Sequence, residues 1–364
     1  DGEVTLWSVE DGQRIAVLVG HRDEANAAAF SPDTSLVATA ADDGTVRLWE
    51  TTTGRPFWRA PIMLLDPPVL YSHQGWTPLD PAGVAEPPQS EQWRRVVELD
   101  VRRGDYHHGG RACIVTHGGG LELWSVHDGE RLATAKHDTI VDVRAGEDGC
   151  LVRTEDGAMW LSEHGGLERL DAPGEVLAIG RFDDPSGTRA LVATDSGVFD
   201  IGMATGARVV RPAEPSVTAL ARVGDALVFG YRDGNLRFFP DATSGDGPRS
   251  FENVPASAVE RIVAGPADVV VAGFANGAVG MWSGASGARL ALGRLHGRVA
   301  HLAVDGTFLY AASDLGHVLR WDLAVLMDDY CTVLREVWDR VPVVWADGRV
   351  MVQPAPLLHA CAEL

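Results

Sequence analysis

One short pattern recurs along the chain and constrains the fold more than any other feature: an apolar run, a turn rich in Asp and Gly, and a second apolar run. The stretch DGTVRLW at 43–49 repeats the opening DGEVTLW at 1–7 almost letter for letter. Two β-prone runs joined by such a turn predict a β-hairpin, because glycine permits the positive φ that tight turns require. Seven windows have this pattern: 36–49, 111–124, 149–162, 189–201, 226–239, 269–282 and 308–321.

The spacing of these windows predicts the architecture. Their ends recur about every 40 residues, with one longer interval between 49 and 124. Between consecutive windows lie two further β-prone runs, such as RVVRP at 208–212 and VTALARV at 217–223. Four short strands per repeat of this length are typical of a β-propeller, whose blades pack radially and bury each other's faces. We therefore expect an all-β protein, a β-propeller of four-stranded antiparallel blades.

The segment around the first window resembles the WD-repeat family, and the resemblance extends over roughly residues 1–321. It has GH at 20–21, FSPD at 30–33, and then Thr39, Asp43 and Trp49. The resemblance implies that His21, Thr39, Asp43 and Trp49 form a buried hydrogen-bonded network with a structural role.

The other repeats depart from this family pattern. His137 and His296 stand where the loop histidine belongs, but their repeats lack the rest of the network. Ser162, Ile201 and Phe239 replace the tryptophan. The intact network is therefore expected in one repeat.

The number of hairpins favours seven blades, with the run at 14–19 closing the ring as the outer strand of the last blade. Eight blades remain open, because the opening 1–8 and the hairpin-like run at 341–353 together supply a composite blade. Apolar residues at helical spacing predict a C-terminal helix over 326–341, packed on the propeller or exposed to dock a partner. The predicted domains are a propeller at 1–322 and, at 323–364, a C-terminal helix plus hairpin that packs on the propeller or completes a blade.

A proline-rich insertion at 61–95 interrupts the repeat. So many prolines predict a stiff irregular loop without a regular ladder, and propeller topology places it on the top face. The loop carries the aromatic residues Tyr71, Trp76 and Trp93. It is either a flap that buries its own aromatics or a binding loop with Trp76 as an anchor.

The sequence shows no catalytic constellation and predicts no cofactor or metal. The pair His107-His108 has no accompanying ligand spacing and is interpreted as solvated loop histidines. The run ETTTGRPFW at 50–58 resembles the Thr-Gly…Trp motif of pyrroloquinoline-quinone dehydrogenases, but it occurs once. Four widely spaced cysteines predict free thiols in a reducing, cytoplasmic environment: Cys113, Cys150, Cys331 and Cys361.

The formal net charge of −20 argues against nucleic acid or an anionic membrane as partner, since both attract a basic surface. No apolar run approaches the length of a membrane span. The chain opens in mid-pattern, so we expect it to be part of a larger polypeptide. These features predict a non-catalytic protein–protein interaction scaffold or sensor module that binds a protein or peptide through the propeller's top face. The alternative is a propeller enzyme, hydrolase, lyase or quinoprotein-like, with a site in the central channel.

The predicted partner-binding residues lie just before the hairpin turns, in a neighbouring loop, and in the insertion. They are Asp42, Tyr231, Arg232, Phe274, Arg22, Glu24, Tyr71 and Trp76.

Overall fold

The computed structural model of the chain describes most of its length. The described residues are 4–18, 21, 23–42, 46–52, 54, 62–65, 68–72, 75–79, 101–107, 110–116, 118–126, 128–184, 187–202, 206–240, 247–326, 330–340, 343–346, 349–352 and 361.

Two small antiparallel sheets begin the chain. Strands β1 (Val4–Trp7) and β2 (Arg14–Leu18) form a hairpin, and β3 (Ala25–Phe30), β4 (Leu36–Ala41) and β5 (Val46–Glu50) form a three-stranded sheet. Because β2 pairs with β1, the prediction that 14–19 closes the ring is wrong within the described residues. A local hairpin closes a much shorter loop than a pairing between chain ends, and so loses less entropy.

Part of the proline-rich segment is a regular sheet, so the prediction of an irregular loop is wrong for residues 62–65, 68–72 and 75–78. Strands β6 (Ile62–Leu65), β7 (Pro68–Ser72) and β8 (Gly75–Pro78) pair in antiparallel order. The prolines are tolerated because Pro68 is the first residue of β7 and Pro78 the last of β8, positions where a missing N–H does least harm to a ladder. The rest of the segment, including Trp93, lies outside the described residues.

Five four-stranded antiparallel sheets follow, each with its strands paired in chain order. Their strands are β9 (Val101–His107), β10 (Arg111–Thr116), β11 (Gly120–Ser125) and β12 (Glu130–Lys136); β13 (Ile140–Ala145), β14 (Gly149–Thr154), β15 (Gly157–Ser162) and β16 (Leu167–Arg169); β17 (Val176–Asp184), β18 (Gly187–Thr194), β19 (Val198–Gly202) and β20 (Gly206–Arg211); β21 (Val217–Val223), β22 (Ala226–Tyr231), β23 (Leu236–Phe239) and β24 (Arg249–Ser250); and β25 (Val259–Ala264), β26 (Val269–Phe274), β27 (Ala278–Ser283) and β28 (Arg289–Arg294).

A three-stranded sheet completes the series, with β29 (Val299–Asp305), β30 (Phe308–Ser313) and β31 (Val318–Asp322). Each of the seven predicted windows coincides with a paired second and third strand, from β4–β5 to β30–β31. The predicted β-propeller is confirmed.

Buried apolar clusters between neighbouring sheets show how the ring closes. Five clusters join the sheets from β9–β12 to β29–β31 in succession. A sixth contains Met63 and Leu70 of the β6–β8 sheet, Trp124 of β11, and Tyr310 of β30, so the succession returns to its start. The β3–β5 sheet instead shares a separate cluster with β1–β2, and its first strand exposes Phe30 by 61 %. Seven sheets therefore form the closed series, and β3–β5 is an eighth sheet beside it.

The C-terminal segment contains the predicted helix, α1 (Tyr330–Arg340), after a 3-10 turn at Ala324–Leu326. The predicted hairpin follows as β32 (Val343–Ala346) and β33 (Arg349–Val352), which pair with each other. Its turn residues, Asp347 and Gly348, lie outside the described residues. No helix in the described part of the chain has the length and hydropathy of a membrane span.

The four cysteines form two disulfides, so the prediction of free thiols is wrong. Cys113 on β10 bonds to Cys150 on β14, which links two neighbouring blades, and Cys331 of α1 bonds to Cys361. The Cα atoms of the first pair are 5.9 Å apart although the residues are 37 positions apart in sequence. Sequence spacing could not show this contact, because it depends on how adjacent blades pack.

Candidate functional site

A repeated backbone hydrogen bond defines the top face, the end of the blades that carries the turns between second and third strands. In six sheets the residue immediately after the second strand donates its backbone N–H to the carbonyl of the residue immediately before the first strand. The donor–acceptor distances are 2.9 to 3.2 Å. We call these six residues the rim: Asp42, Glu155, Asp195, Arg232, Ala275 and Asp314. Their acceptors are Glu24, Thr139, Glu175, Ser216, Ala258 and Arg298. The rim is therefore one register position repeated around the molecule.

The rim is predominantly acidic, since four of its six members carry a carboxylate. Glu155 and Asp195 are exposed, and the acceptor residues Glu24 and Glu175 add two further exposed carboxylates. Asp195 also accepts a hydrogen bond from the backbone N–H of Glu175 at 2.9 Å. Arg232 is the one cation of the rim and is exposed. The rim thus carries four carboxylates and one guanidinium group.

Asp314 occupies a more enclosed rim position. Its carboxylate accepts the backbone N–H of Arg298 at 2.9 Å, and burial raises its pKa above the usual value while the positive charge of Arg298 opposes that shift. These hydrogen bonds fix Asp314 to the loop before β29, so the residue holds its turn against the first strand and also carries charge.

Two of the predicted partner-binding residues are buried in the blades, so their assignment to the exposed surface is wrong. Phe274 is fully buried and its ring lies 6.1 Å from that of Trp282. Tyr231 is also buried, and its hydroxyl donates to Glu214 at 3.0 Å; burial and the Glu214 charge raise the pKa of Tyr231. Both precede a rim residue by one position, and side chains alternate between faces along a strand.

The rim positions have a simple sequence signal, which residue-by-residue inspection missed. Each rim residue stands two positions before the turn glycine, as Glu155 stands before Gly157 and Asp314 before Gly316. Tyr231 and Phe274 stand three positions before it. Counting from the glycine would have placed Glu155, Asp195, Ala275 and Asp314 on the top face in advance.

The remaining predicted binding residues are only partly described. Glu24 and Asp42 lie together on the β3–β5 sheet, where Asn26 donates its side-chain amide to Asp42. Tyr71 on β7 and Trp76 on β8 are cross-strand partners in the backbone register. The side chains of Tyr71 and Trp76, and the whole of Arg22, lie outside the described part of the structure.

The first strands share one irregularity, and those from β9 to β29 belong to the closed series around the central channel. Seven first strands, from β3 to β29, pair with the second strand of a predicted hairpin. In each of them the second residue has no cross-strand partner, because the register shifts by one residue there. The skipped residues are Asn26, Arg102, Val141, Leu177, Thr218, Glu260 and Ala300. Such a bulge bends the strand and removes carbonyl groups from the ladder.

Side chains of the preceding blade satisfy these carbonyls at four junctions. Thr218 donates to the Val259 carbonyl at 2.7 Å, and Arg261 donates through Nε to the Ala300 carbonyl at 3.1 Å. Arg102 donates to the carbonyl of Ile140, and Arg153 to those of Val176 and Leu177. Because an unpaired buried carbonyl is costly, these contacts join blade to blade around the channel.

An ion cluster crosses the channel. Asp142 on β13 binds Arg103 of β9 and Arg144 of β13, each at 2.8 Å, and Arg261 of β25 at 3.3 Å. Burial disfavours the charged form of Asp142, but Arg144, Arg261 and Arg103 together outweigh burial and hold its pKa well below the usual range. The carboxylate is therefore ionised and fully engaged at neutral pH.

The network implied by the family resemblance is present for its described members. The Thr39 hydroxyl is hydrogen-bonded to His21 Nε2 at 2.7 Å and accepts a hydrogen bond from Trp49 Nε1 at 2.8 Å, and both Thr39 and Trp49 are buried. Asp43 lies outside the described residues. One hydroxyl thus joins the loop before β3 to strands β4 and β5.

Other blades satisfy the equivalent groups differently. Trp124 donates to Glu122 at 2.9 Å, and Trp282 donates to the Glu252 carbonyl at 2.8 Å. His107 is buried at the end of β9, so its assignment as a solvated loop histidine is wrong, and His108 lies outside the described residues. Within the described ranges, no group of three or more His, Cys, Asp or Glu side chains is arranged to hold a metal ion.

Comparison with known families gives one match, and it falls on this network. The family described as WD domain, G-beta repeat matches residues 12–50, which span His21, Thr39 and Trp49.

Curated relatives match parts of the chain. An uncharacterized WD repeat-containing protein of Synechocystis is 42% identical over 55 residues, covering 15% of this chain and 16% of that protein. The human angio-associated migratory cell protein is 23% identical over 171 residues, covering 42% and 38%. The zebrafish apoptotic protease-activating factor 1 is 37% identical over 78 residues, covering 21% and 6%. The chain thus spans less than half the length of each of these relatives.

Solved structures with similar folds cover more of the chain at low identity. The computationally designed Ika8 protein has a TM-score of 0.47 at 19% identity, covering 88% of this chain and 91% of its own. U3-55K has a TM-score of 0.48 at 16% identity, covering 83% and 96%.

Proposed function

From the WD-repeat match at residues 12–50 and the WD-repeat relatives we infer that this chain is a WD-repeat protein, and we propose that its propeller is a non-catalytic interaction module that binds a protein or peptide partner at the top face. The observation that carries the proposal is the charge of the rim, where Asp42, Glu155, Asp195 and Asp314 recur at one register position. A rigid scaffold that repeats one charge around a face suits recognition of a surface of opposite sign.

The partner class that fits this face is a Lys/Arg-rich protein segment. The rim and its acceptor residues carry more carboxylates than guanidinium groups, and the whole chain has a net charge of −20. Such a field raises the association rate of a basic partner and disfavours nucleic acid or an anionic membrane. Exposed charges of this kind contribute to rate and specificity more than to affinity.

Affinity requires apolar anchors, and the proposal assigns these to Tyr71 and Trp76. Tyr71 on β7 and Trp76 on β8 are cross-strand partners in the segment that follows the β3–β5 sheet. Aromatic residues supply most of the binding energy in many interfaces. Replacement of Trp76 by alanine is expected to remove partner binding while leaving the melting temperature nearly unchanged.

Asp142, the acid at the centre of the channel cluster, does not favour the enzyme alternative. A general acid or base works best when its pKa lies near the working pH. Asp142 is held ionised by three guanidinium groups, so it neither donates a proton nor takes one up at neutral pH. The channel cluster suits a structural role.

Location and context belong to the same proposal. A cytoplasmic site and membership of a larger polypeptide remain predictions, and the two disulfides make the first of them testable. Disulfides persist in oxidising compartments and are rare in the reducing cytosol. Thiol trapping in cells, with a reagent that blocks free cysteines at lysis, reports whether Cys113 and Cys150 are bonded where the protein resides.

The proposal is tested by reversing charge on one face at a time. A fluorescein-labelled peptide with alternating lysine and alanine serves as probe, and fluorescence anisotropy measures its binding. The variant Glu155→Lys with Glu175→Lys is expected to bind the peptide at least tenfold more weakly than the wild type. Binding of the peptide to the wild-type protein is expected to weaken with added salt.

The matched control makes the same charge change at the opposite end of the blades, where Asp148 and Asp225 are exposed in turns between first and second strands. The variant Asp148→Lys with Asp225→Lys is expected to bind within twofold of wild type. Equal losses in both variants would mean that only net charge matters and would overturn the top-face assignment.

A further inference from the structure

A groove on the outer side of the ring lies between the second-last and third-last sheets. Strand β24 has two residues, whereas the corresponding outer strand of the next sheet, β28, has six. The short strand leaves part of β28 uncovered, and Leu292 on β28 is 50 % exposed. The resulting groove has a volume of about 460 Å³.

One wall of the groove is held rigidly. The segment after β24 runs beside β28, and Trp282 donates to the Glu252 carbonyl at 2.8 Å from the buried core. Arg289 donates to the carbonyl of Asn253 at 3.0 Å, and the Glu252 N–H donates to the Gly287 carbonyl at 3.0 Å. Asn253 has a positive φ of 51°, which turns the chain toward Pro255 and the top of the groove. A wall tied down in this way is formed before any ligand arrives.

Two guanidinium groups face the groove from the same side of β28. Gly280 pairs with Leu292 and Ala278 with Arg294, so Leu292 and Arg294 share a face. Trp282 pairs with Arg289 across a register shift that skips Leu290, and this bulge brings Arg289 onto that face as well. Arg289 and Arg294 are separated by roughly 15 Å of strand with Leu292 between them.

The edge of β28 also offers backbone groups. In the sheet order β25-β26-β27-β28, β28 has one strand neighbour among the described residues. An edge strand presents N–H and C=O groups that an extended peptide can pair with, and side-chain pockets then give specificity. The local charge is positive on a protein of net charge −20, with Glu252 as the one acid in the wall segment 251–255.

We propose that this groove binds an extended acidic peptide segment of a protein partner, in which two carboxylates about four residues apart lie on one face and pair with Arg289 and Arg294, and an apolar side chain midway between them packs on Leu292. The surface is separate from the rim and selects the opposite charge. The two sites do not depend on one another, so the groove proposal stands or falls independently of the top-face assignment.

The test uses a fluorescein-labelled nine-residue peptide in which two glutamates lie four positions apart with a leucine midway between them, so that all three side chains share one face of the extended peptide. Two companion peptides replace both glutamates by glutamines or by lysines. Fluorescence anisotropy at low salt is expected to show that the glutamate peptide binds and that the glutamine peptide binds at least tenfold more weakly. The lysine peptide is tested on the rim variant with Glu155→Lys and Glu175→Lys, and there it is expected not to bind.

Protein variants locate the site. The groove variant Leu292→Asp with Arg294→Glu is expected to weaken the glutamate peptide at least tenfold. Its matched control is Val209→Asp with Arg208→Glu on β20, an outer strand on which Val209 is 63 % exposed. This control is expected to bind within twofold of wild type, and circular dichroism verifies that both variants are folded.

Three results would overturn the proposal. One is an absence of glutamate-peptide binding to the folded wild-type protein. Another is equal binding of the glutamate and glutamine peptides, which would show that the arginines do not recognise carboxylates. The third is an equal loss in the β20 control, which would reduce the binding to general charge attraction.

Discussion

Arg261 reaches across the central channel to Asp142 and contacts both of its carboxylate oxygens, at 3.3 and 3.4 Å, although the two residues are 119 positions apart in the chain. Asp142 also binds Arg103 and Arg144. The carboxylate thus ties three first strands together at the centre of the ring, and its removal takes from three guanidinium groups the carboxylate that they share.

The substitution Asp142→Asn is expected to lower the free energy of unfolding by about 3 to 5 kcal/mol, because it leaves buried charges without their partner. Urea unfolding followed by circular dichroism measures the change. The control Asp225→Asn removes an acid whose side chain is 88% exposed and which pairs with Arg222 at 3.4 Å. Its effect is expected to stay below about 1 kcal/mol, and a similar loss in both variants would contradict the role of burial.

The same cluster gives a pH dependence with a defined sign. The folded-state pKa of Asp142 is well below its ordinary value, so the unfolded chain takes up a proton first as the pH falls. The stabilisation is fully present above the unfolded pKa of about 3.9 and is lost as the pH falls through the folded value. The stability difference between wild type and Asp142→Asn is therefore expected to be constant from neutral pH down to about pH 5 and to shrink below about pH 4. A difference that already shrinks between pH 8 and 6 would point to another group.

Thr39 is the second target, because one hydroxyl serves both His21 and Trp49. Thr39→Val keeps the shape but removes the hydrogen bonds to His21 Nε2 and Trp49 Nε1, which is expected to cost about 1 to 3 kcal/mol. The β3–β5 sheet shares its cluster with β1–β2 and not with the ring, so we expect the loss to be local. Hydrogen exchange should accelerate in β4 and β5 and remain unchanged in β10 and β11. Thr51→Val is the control, since that exposed hydroxyl donates only to backbone carbonyls.

The register of the top face is tested by a neighbouring pair of substitutions. Phe274→Ala empties a fully buried site beside Trp282 and is expected to cost about 3 to 5 kcal/mol. Arg232→Ala removes an exposed rim side chain and is expected to change stability by less than about 0.5 kcal/mol. Thermal unfolding of both proteins compares them directly. Equal melting temperatures would contradict the assignment of rim residues to the position two before the turn glycine.

The disulfide between Cys113 and Cys150 is expected to stabilise the ring by about 2 to 4 kcal/mol. Intact-mass measurement before and after reduction, with alkylation of free thiols, counts the bonded cysteines. Cys113→Ser is expected to lower the free energy of unfolding of the propeller. Cys331→Ser breaks the other bridge and is expected to increase hydrogen exchange in α1 alone. Full alkylation of the native, unreduced protein would contradict both bridges.

Local pattern accounts for what could be predicted. An apolar run, a turn with Gly157 or Gly234, and a second apolar run fix a hairpin, since the turn geometry and the alternation of side chains involve only neighbouring residues. The same alternation explains why Tyr231 and Phe274 were wrongly predicted to lie on the binding surface. Both stand three positions before the turn glycine, one position away from the rim, so their side chains take the opposite face of the strand. The network of His21, Thr39 and Trp49 was predicted from the resemblance to the WD-repeat family, whose motif lies within one repeat.

The sequence by itself determined the repeat, the seven hairpins and the C-terminal helix, because each depends on contacts within about 40 residues. Only the tertiary structure decided that β6–β8 joins the closed series while β3–β5 stands beside it, that Cys113 meets Cys150, and that Asp142 meets Arg261. These relationships arise where separate blades pack together. The pairing of distant surfaces depends on how every intervening blade is placed, and no local periodicity encodes that placement.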